Sequence, residues 1–172
     1  MTIVRKLASL AEAEGFQCVI EPILRQDDIT LKPDLILSKN SKTWTLDVAI
    51  PWEGNEPLNK RHAEKCRKYA NLSVAVERFT GTKEFESEAI VIGARGARCE
   101  QNEKTLTKME FPISDKMKEL LCLMTLEGTC QIISWFMRST ESLAFRGCSV
   151  RPAGLMGRPM ESERTHSRRN KS

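Results

Sequence analysis

Lys32-Pro33-Asp34-Leu35-Ile36-Leu37 and Trp44-Thr45-Leu46-Asp47-Val48-Ala49-Ile50 are two short apolar runs, each carrying one acid. Twelve residues separate Asp34 from Asp47, room for two strand segments and a tight turn. The connection, Ser38-Lys39-Asn40-Ser41-Lys42, is rich in residues that favour turns. The spacing therefore predicts a hairpin with strands over about 34–38 and 43–50. Paired in this way, the strands bring both carboxylates to one end of a sheet. Two carboxylates within a few ångströms repel and raise each other's pKa unless a cation sits between them. A hard divalent ion such as Mg²⁺ prefers such an oxygen site, with phosphate and water completing its shell. The arrangement suits metal-assisted phosphodiester hydrolysis. The plainer alternative is that Pro33-Asp34 is a turn dipeptide and that each acid only caps a loop.

The next segment, Pro57-Leu58-Asn59-Lys60-Arg61-His62-Ala63-Glu64-Lys65-Cys66-Arg67-Lys68-Tyr69, has helical periodicity, and a helix is predicted over 57–71. Leu58, His62, Cys66 and Tyr69 (or Ala70) recur on one face. Lys65 and Lys68 are three apart and share a neighbouring face. A lysine beside a metal-bound phosphate can stabilise developing negative charge or orient the attacking water. A solvated basic face is the alternative for either lysine.

In order and spacing, these blocks resemble the restriction-like endonuclease domain of site-specific non-LTR retrotransposons, a branch of the PD-(D/E)xK nuclease superfamily. The resembling residues are Lys32-Pro33-Asp34, Leu46-Asp47-Val48, Glu64-Lys65 through Lys68-Tyr69, and the strand and glycine turn Ala89-Ile90-Val91-Ile92-Gly93-Ala94-Arg95-Gly96. Asn102-Glu103 and two further helical segments continue the likeness, which covers about residues 16–140. The resemblance implies a restriction-endonuclease-like three-layer fold with a mixed central sheet, followed by C-terminal helices. It also implies a Mg²⁺- or Mn²⁺-dependent phosphodiester hydrolase that nicks double-stranded target DNA, so that the exposed 3′ end primes reverse transcription. Asp34 and Asp47 would hold the metal, with Lys65, Lys68 and Tyr69 completing the catalytic set. Many superfamily members place the lysine two residues after the second acid. That position is Ala49 here, and in the domain it resembles the lysine is supplied by the following helix, which makes Lys65 the first choice and Lys68 the second. The parent polyprotein would also carry a reverse transcriptase, an upstream zinc knuckle and contacts to element RNA. This sequence has neither the knuckle nor a paired-aspartate polymerase motif, and Asp27-Asp28 lies in a loop. The rival reading is a catalytically inactive nucleic-acid-binding remnant or a co-opted fragment.

Composition fits this reading. The chain has 172 residues, 40% hydrophobic and 29% charged, ordinary for a globular domain. No continuous apolar run approaches the roughly 20 residues that span a bilayer, and Met1-Thr2-Ile3-Val4-Arg5-Lys6 has no signal-peptide pattern. A nuclear or cytoplasmic protein without a membrane partner is expected. The six cysteines, at 18, 66, 99, 122, 130 and 148, include no C-x-x-C pair, so free and mostly buried thiols are expected. From Ser149 onward, six basic residues (Arg151, Arg158, Arg164, Arg168, Arg169, Lys171) face Glu161 and Glu163, which accounts for the whole chain's +4. Residues 1–140 are expected to form the nuclease-like domain and 141–172 a disordered basic tail, which either adds affinity for phosphate backbones or has no role.

The remaining elements are predicted as an amphipathic helix over 2–14, strands over 16–24, 72–78 and 88–93, and helices over 113–126 and 129–139 split by Gly128. Helix, three strands, helix, two strands and helices make a three-layer α/β order. Glu12, Glu14 and Glu21 are weighed as a third metal ligand, against solvated positions. His62 reads as a half-buried histidine. With His166 it is one of only two, so histidine chemistry has little support. Trp44 is expected in the core. Trp52 reads as a loop residue open to base stacking. Arg95 and Arg98 are weighed for phosphate contact.

Overall fold

A computed structural model describes residues 3–53 and 58–147 of the chain. The expected hairpin is its centre. β4 (Leu35–Lys39) and β5 (Lys42–Ala49) run antiparallel, with Leu35 opposite Leu46 and Lys39 opposite Lys42. The turn is tighter than expected, only Asn40 and Ser41, with φ of 50° and 62°. Positive φ at both central residues matches the right-handed twist of the strands on either side.

β1 (Gln17–Ile20) adds antiparallel to β4, and β6 (Glu84–Val91) adds parallel to β5. The result is a mixed four-stranded sheet ordered β1-β4-β5-β6. The strand predicted over 16–24 breaks at Glu21, which has φ 52° and donates its N–H to the Asp34 carbonyl at 2.8 Å. Beyond the break, β2 (Leu24–Gln26) and β3 (Ile29–Leu31) form a separate small hairpin that the periodicity did not reveal.

Side-chain alternation along the strands separates two cores. Leu35, Leu37, Trp44, Leu46 and Ile90 face α1 (Ile3–Ala13), the Leu106 end of α4 (Gln101–Lys108) and Leu121. On the other face, Ile36 packs with Tyr69, Leu72, Ala75 and Val76, and Ala49, Ala89 and Val91 pack with Leu58 and Cys66. That face is covered by α2 (Leu58–Tyr69) and α3 (Ser73–Thr80). Helices thus lie on both faces of the sheet, giving a mixed α/β fold with five helices among the described residues.

Three expectations need correction. Of residues 72–78, predicted as a strand, Leu72 is the N-cap of α3 and the rest lie within it. Leu72, Ala75 and Val76 are buried while Val74 is 44% exposed. That is spacing i, i+3, i+4, which a short window does not separate from alternation. β6 starts at Glu84, four residues before the expected 88, because its polar first half pairs with β5 from Lys42 onward. Gly128 does not break the last helix: α5 is continuous over Asp115–Gly147 and passes the domain boundary expected at 140. A mid-helix glycine costs only about 1 kcal/mol, and nothing lies within 4 Å of a Cβ built there. The stretch Asp115–Thr140 is long and apolar enough, by length and composition, to cross a membrane. Length and composition alone assign it no membrane location.

Residues Met1–Phe136 form one compact unit and Met137–Ser172 a second. Of the second, 137–147 lie within the described residues. The expected basic tail from 149, Cys148 and His166 lie outside them.

Candidate functional site

Pro33 fixes the backbone before Asp34, which enters β4. The β4–β5 register pairs Leu35 with Leu46; carried back one step, it sets Asp34 opposite Asp47, so the two share a face of the sheet. Asp34 Oδ2 accepts the Val48 N–H at 2.7 Å. Asp47 is only 3% exposed. Its Oδ1 accepts the Tyr69 hydroxyl at 2.9 Å, and its Oδ2 lies 2.6 Å from the Lys65 ammonium.

Helix α2 makes this possible. His62, Lys65, Cys66 and Tyr69 follow one another at i, i+3, i+4 and i+7, a single stripe turned to the sheet. Lys65 stands about two turns into the helix. Ala49, where many superfamily members carry lysine, is buried among Ala89 and Val91. The ammonium comes instead from Lys65, which reaches Asp47 along its own stem. Tyr69 is 1% exposed. Its hydroxyl lies 3.3 Å from the Lys32 carbonyl and accepts from Lys68 Nζ at 2.9 Å. Lys68 therefore reaches Asp47 only through Tyr69. Burial, then the bond to Asp47 and the charges of both acids, push the Tyr69 pKa up, so it stays a phenol and donates.

The structure thus brings Asp34, Asp47, Lys65, Lys68 and Tyr69 together. Asp47 Oδ2 meets Lys65 as an ion pair, yet no donor among the described residues is aligned to it as a hydrogen bond. A buried anionic oxygen met by charge alone fits a hard cation, whose bonds to carboxylate oxygen are not tied to a donor direction. Asp34 and Asp47 are the residues that would hold it.

Burial raises the Asp34 pKa above its ordinary 3.8, and the Asp47 charge adds to this; the Val48 N–H and Lys65 oppose it. The folded state therefore holds the Asp34 proton more tightly than the unfolded one. That contribution to stability is whole below 3.8 and is lost as pH rises through the raised value. Asp34→Asn removes the charge but keeps an oxygen for Val48. It is expected to raise Tm at pH 7, with the gain shrinking as pH falls towards 4, in thermal melts followed by circular dichroism. A variant less stable than wild type at pH 7, or a gain independent of pH, would contradict this account.

Other weighed residues fall elsewhere. Glu12 and Glu14 are exposed at the end of α1, which packs on the opposite face of the sheet from Asp47. Glu21 is exposed and engaged by Lys32 at 2.5 Å. Trp44 is in the core and donates Nε1–H to Glu86 at 3.1 Å. Trp52 is 64% exposed, with the Arg95 guanidinium 5.7 Å from its ring centre. Glu53 holds the glycine turn after β6, accepting from the backbone N–H groups of Arg95 and Ala97 and from Arg95 Nε. A Cβ on Gly93 would meet the Glu53 carboxylate at 1.9 Å, so glycine is required there by close approach. Arg98 lies 4.0 Å from Glu103. Sequence reasoning missed the latch between Glu53 and Arg95 and the buried Glu88; the signal for Glu88 was an acid directly before the apolar run that starts at Ala89.

No family model matches the sequence. Over 146 residues, 83% of the chain, it is 30% identical to a Retrovirus-related Pol polyprotein from type-1 retrotransposable element R2 of Popillia japonica. The chain is similar to part of a retrotransposon polyprotein. A second Pol polyprotein of that description from the same organism is 28% identical over 145 residues, 81% of the chain. The matched stretch spans 30% of the first relative's length and 20% of the second's. Among solved structures, a protein of unknown function, AF1548, aligns over 71% of this chain and 64% of that one at 13% identity and a TM-score of 0.41, too slight a likeness to argue from.

Proposed function

We propose that this retroelement-related chain is a metal-dependent endonuclease of the restriction-like, PD-(D/E)xK kind that nicks double-stranded target DNA. The supporting observation is the convergence on Asp47 of Asp34, Lys65 and Tyr69. Asp34 and Asp47 would hold Mg²⁺ or Mn²⁺. When bound, such an ion supplies Lewis acidity at the scissile phosphate and lowers the pKa of water. Tyr69 fixes the Asp47 carboxylate in orientation. Lys65 holds an ammonium beside the acids, on a stem flexible enough to serve a phosphate oxygen as charge develops. Lys68 supports Tyr69 and meets the DNA backbone. The similarity to Pol polyproteins supports a retroelement setting. There, nicking would expose a 3′ end, and reverse transcription and element RNA would belong to other parts of the polyprotein. Such work places the protein in the nucleus, or in the cytoplasm before entry.

The test is conversion of supercoiled plasmid to the open circle by the full chain. We expect nicking with Mg²⁺ or Mn²⁺ and none with chelator. DNA binding without metal-dependent nicking would instead favour the inactive nucleic-acid-binding remnant.

A further inference from the structure

The outer edge of β6 is covered by side chains. Asn102 of α4 takes both the N–H and the C=O of Val91, at 2.9 and 2.8 Å. Two residues earlier, Ala89 packs with Cys66 of α2, which stands beside His62 of the same helix. These two side chains are one helical turn apart and reach the same point. Cys66 Sγ lies 3.6 Å from His62 Nδ1. His62 Nε2 lies 3.0 Å from Thr105 Oγ1, and Thr105 donates to Glu88 Oε2 at 2.8 Å. The Lys108 ammonium is 2.6 Å from Glu88 Oε1 and 3.3 Å from Glu86. Ligand atoms of His62, Cys66 and Glu88 all lie within 4.8 Å of one another.

The hydrogen bonds select the histidine tautomer. The Glu88 carboxylate, paired with Lys108, only accepts, so the Thr105 proton points at it. Thr105 oxygen must then accept from His62 Nε2–H. Burial lowers the His62 pKa and keeps the ring neutral. Nδ1 is left with a lone pair, facing the Cys66 sulfur.

We propose that His62 Nδ1, the Cys66 sulfur and a Glu88 carboxylate oxygen form a binding site for a borderline-soft divalent cation of the Zn²⁺ class, separate from the Asp34–Asp47 pair. The donor set is one nitrogen, one sulfur and one oxygen, which suits zinc and leaves a fourth position for water. Thr105 supplies the outer hydrogen bond that orients a ligating histidine. Binding transfers the Cys66 thiol proton to solvent and frees Lys108 from Glu88. Burial and the neighbouring Glu88 push the Cys66 thiol up to about 11, so without a metal it is a proton donor and not a thiolate nucleophile. A surface cavity of about 290 Å³, lined by Cys66, Arg67, Phe85, Glu86 and Lys108 among others, provides the way in. The bound ion would tie α2, which carries Lys65 and Tyr69, to β6 and α4. None of this rests on the proposed nuclease activity.

The experiment uses the full chain, stripped of metal and kept reduced with a phosphine. Thiolate-bound Co²⁺, read by a sulfur-to-cobalt charge-transfer absorption that Zn²⁺ abolishes, is expected at one per chain, and Zn²⁺ should raise Tm. Cys66→Ser should remove both effects, and Glu88→Gln should weaken Zn²⁺ binding about 10-fold or more. On the wild-type chain, Zn²⁺ should slow alkylation of Cys66 but not of exposed Cys130, read by peptide mass spectrometry. This arm needs no variant to fold. Absence of the absorption, its survival in Cys66→Ser, or unprotected alkylation of Cys66 would each overturn the site.

Discussion

Replacing Asp47 by alanine or asparagine is expected to reduce metal-dependent nicking to background while leaving DNA binding intact or slightly stronger. Asp47 is the point at which the other candidate groups meet: Tyr69 on Oδ1, Lys65 on Oδ2, and Asp34 across the hairpin. Without its charge the cation loses one of its two protein ligands. The acid also repels phosphate, so its loss removes that cost from binding. Alanine leaves the buried Tyr69 hydroxyl with only the more distant Lys32 carbonyl at 3.3 Å, and an unsatisfied buried donor costs about 1–3 kcal/mol. Asparagine keeps an acceptor for Tyr69, so the pair separates loss of chemistry from loss of fold. Plasmid nicking and gel-shift titration, with circular dichroism as the folding control, give the answer. Nicking by Asp47→Asn at the wild-type rate would mean that the activity lies elsewhere.

Lys65→Ala is expected to lower the nicking rate about a hundredfold or more, the scale for loss of one preorganised donor at developing charge. Lys65 is the ammonium in direct contact with Asp47, at 2.6 Å. Lys68→Ala should cost less, because Lys68 touches the acids only through the Tyr69 hydroxyl. Both variants should be compared under single-turnover conditions at saturating Mg²⁺, so that a change in metal affinity does not pass for a change in chemistry. A larger loss for Lys68 would exchange the two roles. No loss for either would end the idea of a lysine relocated from position 49, even with the carboxylates still essential.

The sequence by itself determined the local features of this protein. The 34–50 hairpin follows from two apolar runs and a turn-rich connection. α1 follows from its apolar stripe, and α2 from the recurrence of His62, Cys66 and Tyr69. Each reports a period within one element, and that period comes from backbone geometry alone. Even here short windows failed: 72–80 satisfies both alternation and helical spacing, and only its burial against Ile36 selects the helix. What the tertiary structure decided was everything that joins distant segments. Lys65 and Tyr69 lie 18 and 22 residues beyond Asp47, and no local period says which face of α2 meets which strand. The parallel seating of β6 beside β5 makes the surface on which α2 packs. It also places Glu88 against Thr105 and Lys108 at the sheet edge. Register and helix seating depend on how whole faces fill space against one another, which no short stretch of chain encodes.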